Sequence, residues 1–199
     1  MSGRKTELGT AAPGFAIANL TLQAPKLAES LKNALTYTQQ MRVYRQLLLE
    51  EVPLRDIETI ASTLLECSET TKDPVLLAEY VRIALKRYIS HKFSAGQNML
   101  PAYLLSPSIE DEIRTSIRQT SGGSYLALDP QSSKRIVQAV KLAVGDIGMV
   151  QNRPVLLTSM DIRRYVRKLV EQDLGELAVL SYQELTQDIN IQPLARIEL

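Results

Sequence analysis

The residues able to do chemistry are few and poorly placed for it. His91 is the sole histidine, flanked by Ser90 and Lys92 at the expected end of a helix. A helix C-terminus favours a cation, so a surface or capping role suits it. There is no second histidine for a His-His metal site, and no motif pairs His91 with a nucleophile, which removes most hydrolytic triads. Ser121-Gly122-Gly123-Ser124 is the one glycine-rich loop. A phosphate cradle needs backbone N–H groups at the start of a helix that follows a strand. Here the loop is expected to follow a helix and lead into a strand, so it reads as a helix stop with glycine supplying positive φ.

Glu110, Asp111 and Glu112 cluster, but in a first helical turn, where they complement the dipole and are expected to face water. Paired catalytic carboxylates need burial to drive their pKa values apart. Cys67 is the only cysteine, so there is neither an internal disulfide nor a cysteine-based zinc cluster, which fits a reducing cytoplasm. It continues the apolar face of a helix and reads as a small buried apolar residue. No catalytic residue, cofactor or metal is expected.

Arg163, Arg164, Arg167 and Lys168 carry more information. Positions 163/167 and 164/168 are four apart, giving two basic rows beside an apolar stripe. Two readings stay open: a solvated helix face, or a docking surface for an acidic partner. Nucleic acid is disfavoured, because no aromatic stacking platform accompanies the rows and the net charge is only +1. The helix pair 38–51 and 56–67 mimics a helix-turn-helix, yet Asp56, Glu58 and Glu66 on its second member would repel phosphate.

These residues must be positioned by elements that periodicity predicts. Helices are expected over Pro25–Leu35, 38–51, from Asp56 through Leu65, and from Asp73-Pro74 to Lys92. Together they make a small helical bundle. Ser94-Ala95-Gly96-Gln97-Asn98 is a turn-rich joint. Beyond it, strand-length apolar runs at Ala102–Leu105, Ser124–Leu128, Pro154–Thr158, Ala178–Ser181 and Arg196–Leu199 alternate with helices at 108–119, 131–149 and 160–173. Such alternation implies crossovers and a mainly parallel or mixed sheet covered by helices. The expected fold class is therefore α plus α/β: an unmatched flexible lead-in over 1–24, an all-helical subdomain over 25–93, and a compact α/β subdomain over 100–199.

Composition agrees. A chain of 199 residues, 45% hydrophobic and 23% charged, can bury a sizeable core and is not disordered overall. The uncharged stretch from Leu8 to Pro25 is interrupted by Thr10, Pro13, Gly14, Asn19, Thr21 and Gln23, so it does not read as a spanning helix, which needs about 20 mostly apolar residues. Membrane insertion by this chain is not expected.

Several strings resemble a family. Glu51-Val52-Pro53-Leu54-Arg55-Asp56-Ile57-Glu58-Thr59-Ile60 and Lys72-Asp73-Pro74-Val75-Leu76-Leu77-Ala78-Glu79-Tyr80-Val81-Arg82 resemble the type III secretion export-gate family, the FlhA/LcrD/InvA/SctV kind. The virulence, or injectisome, branch is indicated by Ile117-Arg118-Gln119-Thr120-Ser121-Gly122, by Pro154-Val155-Leu156-Leu157-Thr158-Ser159 with Asp161-Ile162-Arg163-Arg164-Tyr165, and by Val179-Leu180-Ser181-Tyr182-Gln183-Glu184-Leu185. Asn190-Ile191-Gln192-Pro193-Leu194, with Arg196-Ile197, adds another. The resemblance covers roughly residues 25–199 in collinear order.

The resemblance implies the third and fourth cytoplasmic subdomains of a protein at the cytoplasmic face of the bacterial inner membrane. It implies a non-enzymatic scaffold that meets copies of itself in a nonameric ring. It also implies the stalk coiled-coil protein of the export ATPase and chaperone–cargo complexes as partners. Arg163, Arg164, Arg167 and Lys168 are then the candidate stalk contacts. Arg55, Asp56 and Arg82 are candidate ring contacts or ion pairs within the helix bundle. Ala195 stands where relatives commonly have glycine, which matters if the site needs positive φ. The rival reading, a small α/β nucleotide-binding or transferase enzyme, requires a glycine loop after a strand or a buried acid–base pair.

Overall fold

A computed structural model describes residues 3–146 and 152–199, with side chains from Ala12 onward. The chain divides into two compact units, Met1–Leu85 and Lys86–Leu199. The described part of the first unit contains five helices: α1 (Gly3–Gln23), α2 (Pro25–Ala34), α3 (Tyr37–Leu49), α4 (Ile57–Cys67) and α5 (Pro74–Ala84).

Their starts are written locally. Proline opens α2 and α5, where its missing N–H leaves nothing unsatisfied. Thr36 and Gln39 cap α3 reciprocally: Gln39 N donates to Thr36 Oγ1 at 3.2 Å, and Thr36 N donates to Gln39 Oε1 at 2.9 Å. Asp56 and Asp73 accept the N–H groups of Thr59 and Val75 at the heads of α4 and α5. The apolar stripes then close on one another, burying Leu31, Val43, Tyr44, Leu47, Ile60, Leu64, Leu77 and Val81. Burial pushes the Tyr44 phenol up to about 12.

Three expectations for this half are corrected. The stretch expected as a flexible or loosely docked lead-in forms helix α1, and it contributes to the core through Ala16 and Leu20, both buried. Pairing Leu20 with the bundle offsets the entropy of ordering this stretch. The single helix expected from Asp73 to Lys92 is two, separated at Leu85, whose N–H is shared between the Val81 and Arg82 carbonyls. The two compact units meet in the sequence at the same point. Cys67 is half-buried, not enclosed, because it closes the last turn of α4.

The second unit contains α6 (Lys86–Phe93), β1 (Met99–Leu105), α7 (Pro107–Thr115), β2 (Ile117–Thr120), β3 (Gly123–Leu126), α8 (Pro130–Val144), β4 (Val155–Thr158), α9 (Met160–Val170), β5 (Val179–Ser181), a 3-10 turn at Tyr182–Glu184 and β6 (Asn190–Ile197). Four strands form an all-parallel sheet in the order β5-β4-β1-β6. Central β4 is buried at all four positions, as a strand covered on both faces must be. Its register sets Ala102, Tyr103 and Leu104 against Val155, Leu156 and Leu157. Ile109, Ile113, Ile136, Val140, Ile162 and Val166 from the helices pack on Leu156 and Val179.

The strand expected at Ser124–Leu128 is β3, but it pairs antiparallel with β2 in a separate hairpin. Ile117, expected on the helix, begins β2, since α7 ends at Thr115. The glycine loop is therefore a hairpin turn and not a helix stop, with Gly123 at φ +122°. α8 was expected to reach 149; it ends at Val144, and Ile147, Gly148 and Met149 lie outside the described residues. β6 starts earlier than expected, at Asn190. Ala102 faces Pro193 and Tyr103 faces Ala195, which leaves Leu194 as an extra residue in the strand. Ala195 is not among the described residues with positive φ, so alanine carries no strain there.

Candidate interaction surfaces

The basic row on α9 does not form one surface. β5 is an end strand, and the carbonyl of Ala178, just before it, accepts the N–H of Leu156 on β4. Carbonyls alternate along a strand, so those of Leu177 and Val179 point to the open edge, where no strand among the described residues pairs with β5. The arginines fill that gap. Arg163, fully buried, donates to the Val179 carbonyl at 2.8 Å, and Arg167 donates to those of Leu177 at 2.8 Å and Gly175 at 3.3 Å. Arg164 lies over the Tyr165 ring, 4.8 Å from its centroid, and donates to the Tyr165 hydroxyl. Only Lys168 is fully exposed, with its ammonium 3.4 Å from Glu171. Of the two readings left open, neither covers the whole row: Arg163 and Arg167 close a sheet edge, and Lys168 with part of Arg164 remains accessible.

The carboxylates on α7 also split. Asp111 is exposed as expected, but Glu110 is not a solvated cap of its own helix. It accepts from Thr158 Oγ1 at 2.8 Å, Ser159 N at 3.2 Å and Ser159 Oγ at 3.1 Å. It thus caps α9 from another element. Arg114 sits between Asp161 at 2.5 Å and Asp111 at 2.7 Å. The Asp161 hydrogen bond leads the effects that raise its pKa.

Arg55 is exposed, and Asp56 is spent as the N-cap of α4. Arg82 is buried with its guanidinium 3.9 Å from Glu50, itself nearly enclosed, so that pair belongs to the bundle interior. His91 is exposed on α6. Its ring lies 3.2 Å from where a Cβ on Gly96 would stand, and Gly96 has φ +75°. The helix end is thus closed by glycine against the imidazole.

One surface escaped the sequence reading. A groove of about 770 Å³ runs between α8 and the end of β6, a volume typical of small binding pockets. Ala139, Leu142, Ala143, Ile197 and Leu199 supply its apolar lining, and Lys134, Arg135, Arg196 and Glu198 its charges. Leu142 is 84% exposed. Two signals were available: the sequence Pro130–Val144 contains no acidic residue, and Leu142 stands off the apolar stripe of its helix. Lys134 and Arg135 were missed because a single helix does not reveal which strand end, here Arg196, will lie beside it.

Among the described residues no group of three or more His, Cys, Asp or Glu could hold a metal ion. No helix among them is long and apolar enough to cross a membrane.

Comparison with known proteins completes the picture. Residues 8–190 match the FHIPEP family. The chain is 45% identical over 172 residues to the low calcium response locus protein D of Yersinia pestis, covering 86% of this chain and 24% of that protein. It thus spans about a quarter of that relative's length. Among solved structures it is similar to the Chlamydia pneumoniae CdsV and CdsO protein complex, at 41% identity and a TM-score of 0.89, over 98% of this chain and 56% of that one. It is similar to nonameric EPEC SctV-C at 33% identity and a TM-score of 0.83, over 97% of this chain and 60% of that one.

Proposed function

The chain belongs to the FHIPEP family, and from that premise we propose that it acts as a non-enzymatic scaffold on the cytoplasmic side of a type III secretion export gate. The observation that carries this reading is likeness over 98% of the chain, in fold and at 41% identity, to a protein solved as the CdsV and CdsO complex. Likeness to a nonameric assembly supports contacts between copies. Contacts of that kind are head-to-tail and close a ring only if the rotation closes. A membrane-tethered parent would raise the effective concentration of such weak contacts to roughly the mM range. The isolated chain is accordingly a monomer at micromolar concentration.

Two kinds of partner follow. A stalk protein of the CdsO kind docks on the α/β unit, with Lys168 and Arg164 as the remaining candidates from α9. Chaperone–cargo complexes extend the same reading, without residues assigned to them. Arg55 is the candidate for contacts between copies, while Asp56 and Arg82 serve the bundle. The rival enzyme reading gains nothing from the glycine loop, which turns a hairpin rather than opening a helix.

The test is a chimera in which the matching 172-residue segment of the Yersinia protein is replaced by this chain's. Secretion of type III substrates by the chimera is the expected result. A chimera that accumulates in the membrane at normal levels yet secretes nothing would contradict the proposal. A thermal shift of the isolated chain with nucleotides would favour the enzyme rival instead.

A further inference from the structure

We propose that the outer edge of β3 receives a short extended segment of another protein, apolar on one face and acidic on the other. The case begins with how the other strand edges of this unit are closed. On β5 the guanidinium groups of Arg163 and Arg167 take the outward carbonyls. On β6 Pro193 removes a donor, and the extra residue at Leu194 breaks the register. On β2 Arg118 folds back and donates to the Ile117 carbonyl at 3.1 Å. Charge, proline and bulges are the devices that keep an edge from pairing. β3 carries none of them: from Gln119 to Leu128 there is no charged residue and no proline.

The ladder shows which groups are left open. Ala127, just past β3, donates to the Ser116 carbonyl, while Arg118 and Thr120 lie opposite Tyr125 and Gly123. Direction alternates along a strand, so Gly123 and Tyr125 face β2, and Ser124 and Leu126 turn their N–H and C=O groups outward. No strand or turn among the described residues pairs with those groups. A two-stranded ribbon is marginal by itself, and a third strand would satisfy both residues at once. A helical partner would leave them unpaired, because its own backbone groups are already bonded.

The side chains set the chemistry of the incoming strand. Leu126 and Ile117 pack toward the core of the unit, so that face offers apolar surface to a neighbouring strand. The opposite face shows Arg118 beside Tyr125, both exposed, and Arg118 is the one charged residue from Ile117 to Leu126. A carboxylate placed next to Tyr125 complements it, and an ammonium there is repelled. The proposal rests on the hairpin alone, and its failure would leave the export-gate reading intact.

The test uses the full chain, isotope-labelled, and fluorescein-labelled peptides of about ten residues that alternate valine with glutamate or valine with lysine. Two further copies of the glutamate peptide are N-methylated at alternate residues, one in each phase, which removes the donors of one edge and keeps every side chain. Saturable binding of the glutamate peptide is expected, with the lysine peptide weaker by about threefold or more. N-methylation should weaken binding by at least about tenfold in one phase and be tolerated in the other, since one edge of the peptide meets β3. On binding, the Ser124 and Leu126 amides should gain protection from exchange, while the Tyr125 amide, already facing β2, changes little. Ser124→Pro removes an outward donor without touching the ladder and should weaken binding by about tenfold. Arg118→Glu, at an exposed site, should leave the circular dichroism unchanged and make the lysine peptide the tighter binder.

Absence of saturable binding by the glutamate peptide overturns the proposal, as does indifference to N-methylation in both phases. Equal affinity for the two charge patterns overturns the acidic preference and with it the partner named here. Protection along Asn190–Ile197 instead of β3 would move the added strand to the other sheet and overturn it. Self-association of the chain that Ser124→Pro abolishes would give the edge to a second copy and overturn it as well.

Discussion

Arg163 separates a structural from a docking role for the basic row, and its removal can be sized. The side chain is fully buried and gives a 2.8 Å charge-assisted hydrogen bond to the outward carbonyl of Val179. Arg163→Ala deletes that bond, worth about 1.5–3 kcal/mol when one partner is ionised. It also removes buried methylenes worth roughly 0.8 kcal/mol each, only partly recovered by collapse. The expected loss is about 3–4 kcal/mol of stability in the α/β unit. Arg163→Met refills the space without the donor and should cost less than Arg163→Ala, by roughly the packing share of about 1–2 kcal/mol. Lys168→Ala, at an 83% exposed side chain, should stay within about 0.5 kcal/mol.

A chain of two units need not unfold in one transition, so the readout should be local. Amide hydrogen exchange in β4, β5 and α9 under native conditions reports the opening free energy of that region. Arg163→Ala exchanging no faster than Lys168→Ala would refute the edge-closing role. The consequence for binding work is direct. Reversing all four basic charges would unfold the unit and mimic lost docking, whereas Lys168→Glu alone, or with Arg164→Glu, probes the accessible surface.

Two further outcomes follow from the same geometry. Glu110→Ala strands the buried Thr158 hydroxyl and uncaps α9, and should lower stability by about 2–3 kcal/mol, with Ser159 amide protection lost first; a change under 0.5 kcal/mol would restore the solvated reading. Tyr44 gives a pH signature in the helical unit. Burial holds its folded pKa at about 12, above the ordinary tyrosine value of 10.0, so its contribution is full below pH 10 and is lost as pH rises through 12. Two pKa units correspond to about 3 kcal/mol, so stability should fall across that window and fall less in Tyr44→Phe. An identical alkaline slope in the variant, or absorbance at 295 nm showing every tyrosine titrating near 10, would contradict the assignment.

Helices α2 to α4 and the start of α5 were legible because their signals are local, whereas α1, with its interior proline and no charged face to mark it, was not. Thr36 with Gln39, Asp56 and Asp73-Pro74 carry caps and starts that act within one turn, and stripes such as Leu77, Val81 and Leu85 need only 3.6-residue periodicity. The parallel sheet could be inferred from strand–helix alternation. The positions of charge could not be read this way. Arg163 and Lys168 are five residues apart on one helix, yet one is sealed against the open edge of β5 and the other stands in water.

Glu110 looked like any first-turn acid until β4 and α9 brought Thr158 and Ser159 to it across 48 and 49 residues. Lys134, Arg135 and Arg196 became one rim only when β6 returned beside β1, within reach of α8. Element type is decided by short-range backbone and side-chain preferences that travel with the sequence. Which polar group meets which is decided by chain crossovers, because a hydrogen bond or an ion pair acts over a few ångströms and separation along the chain does not set separation in space.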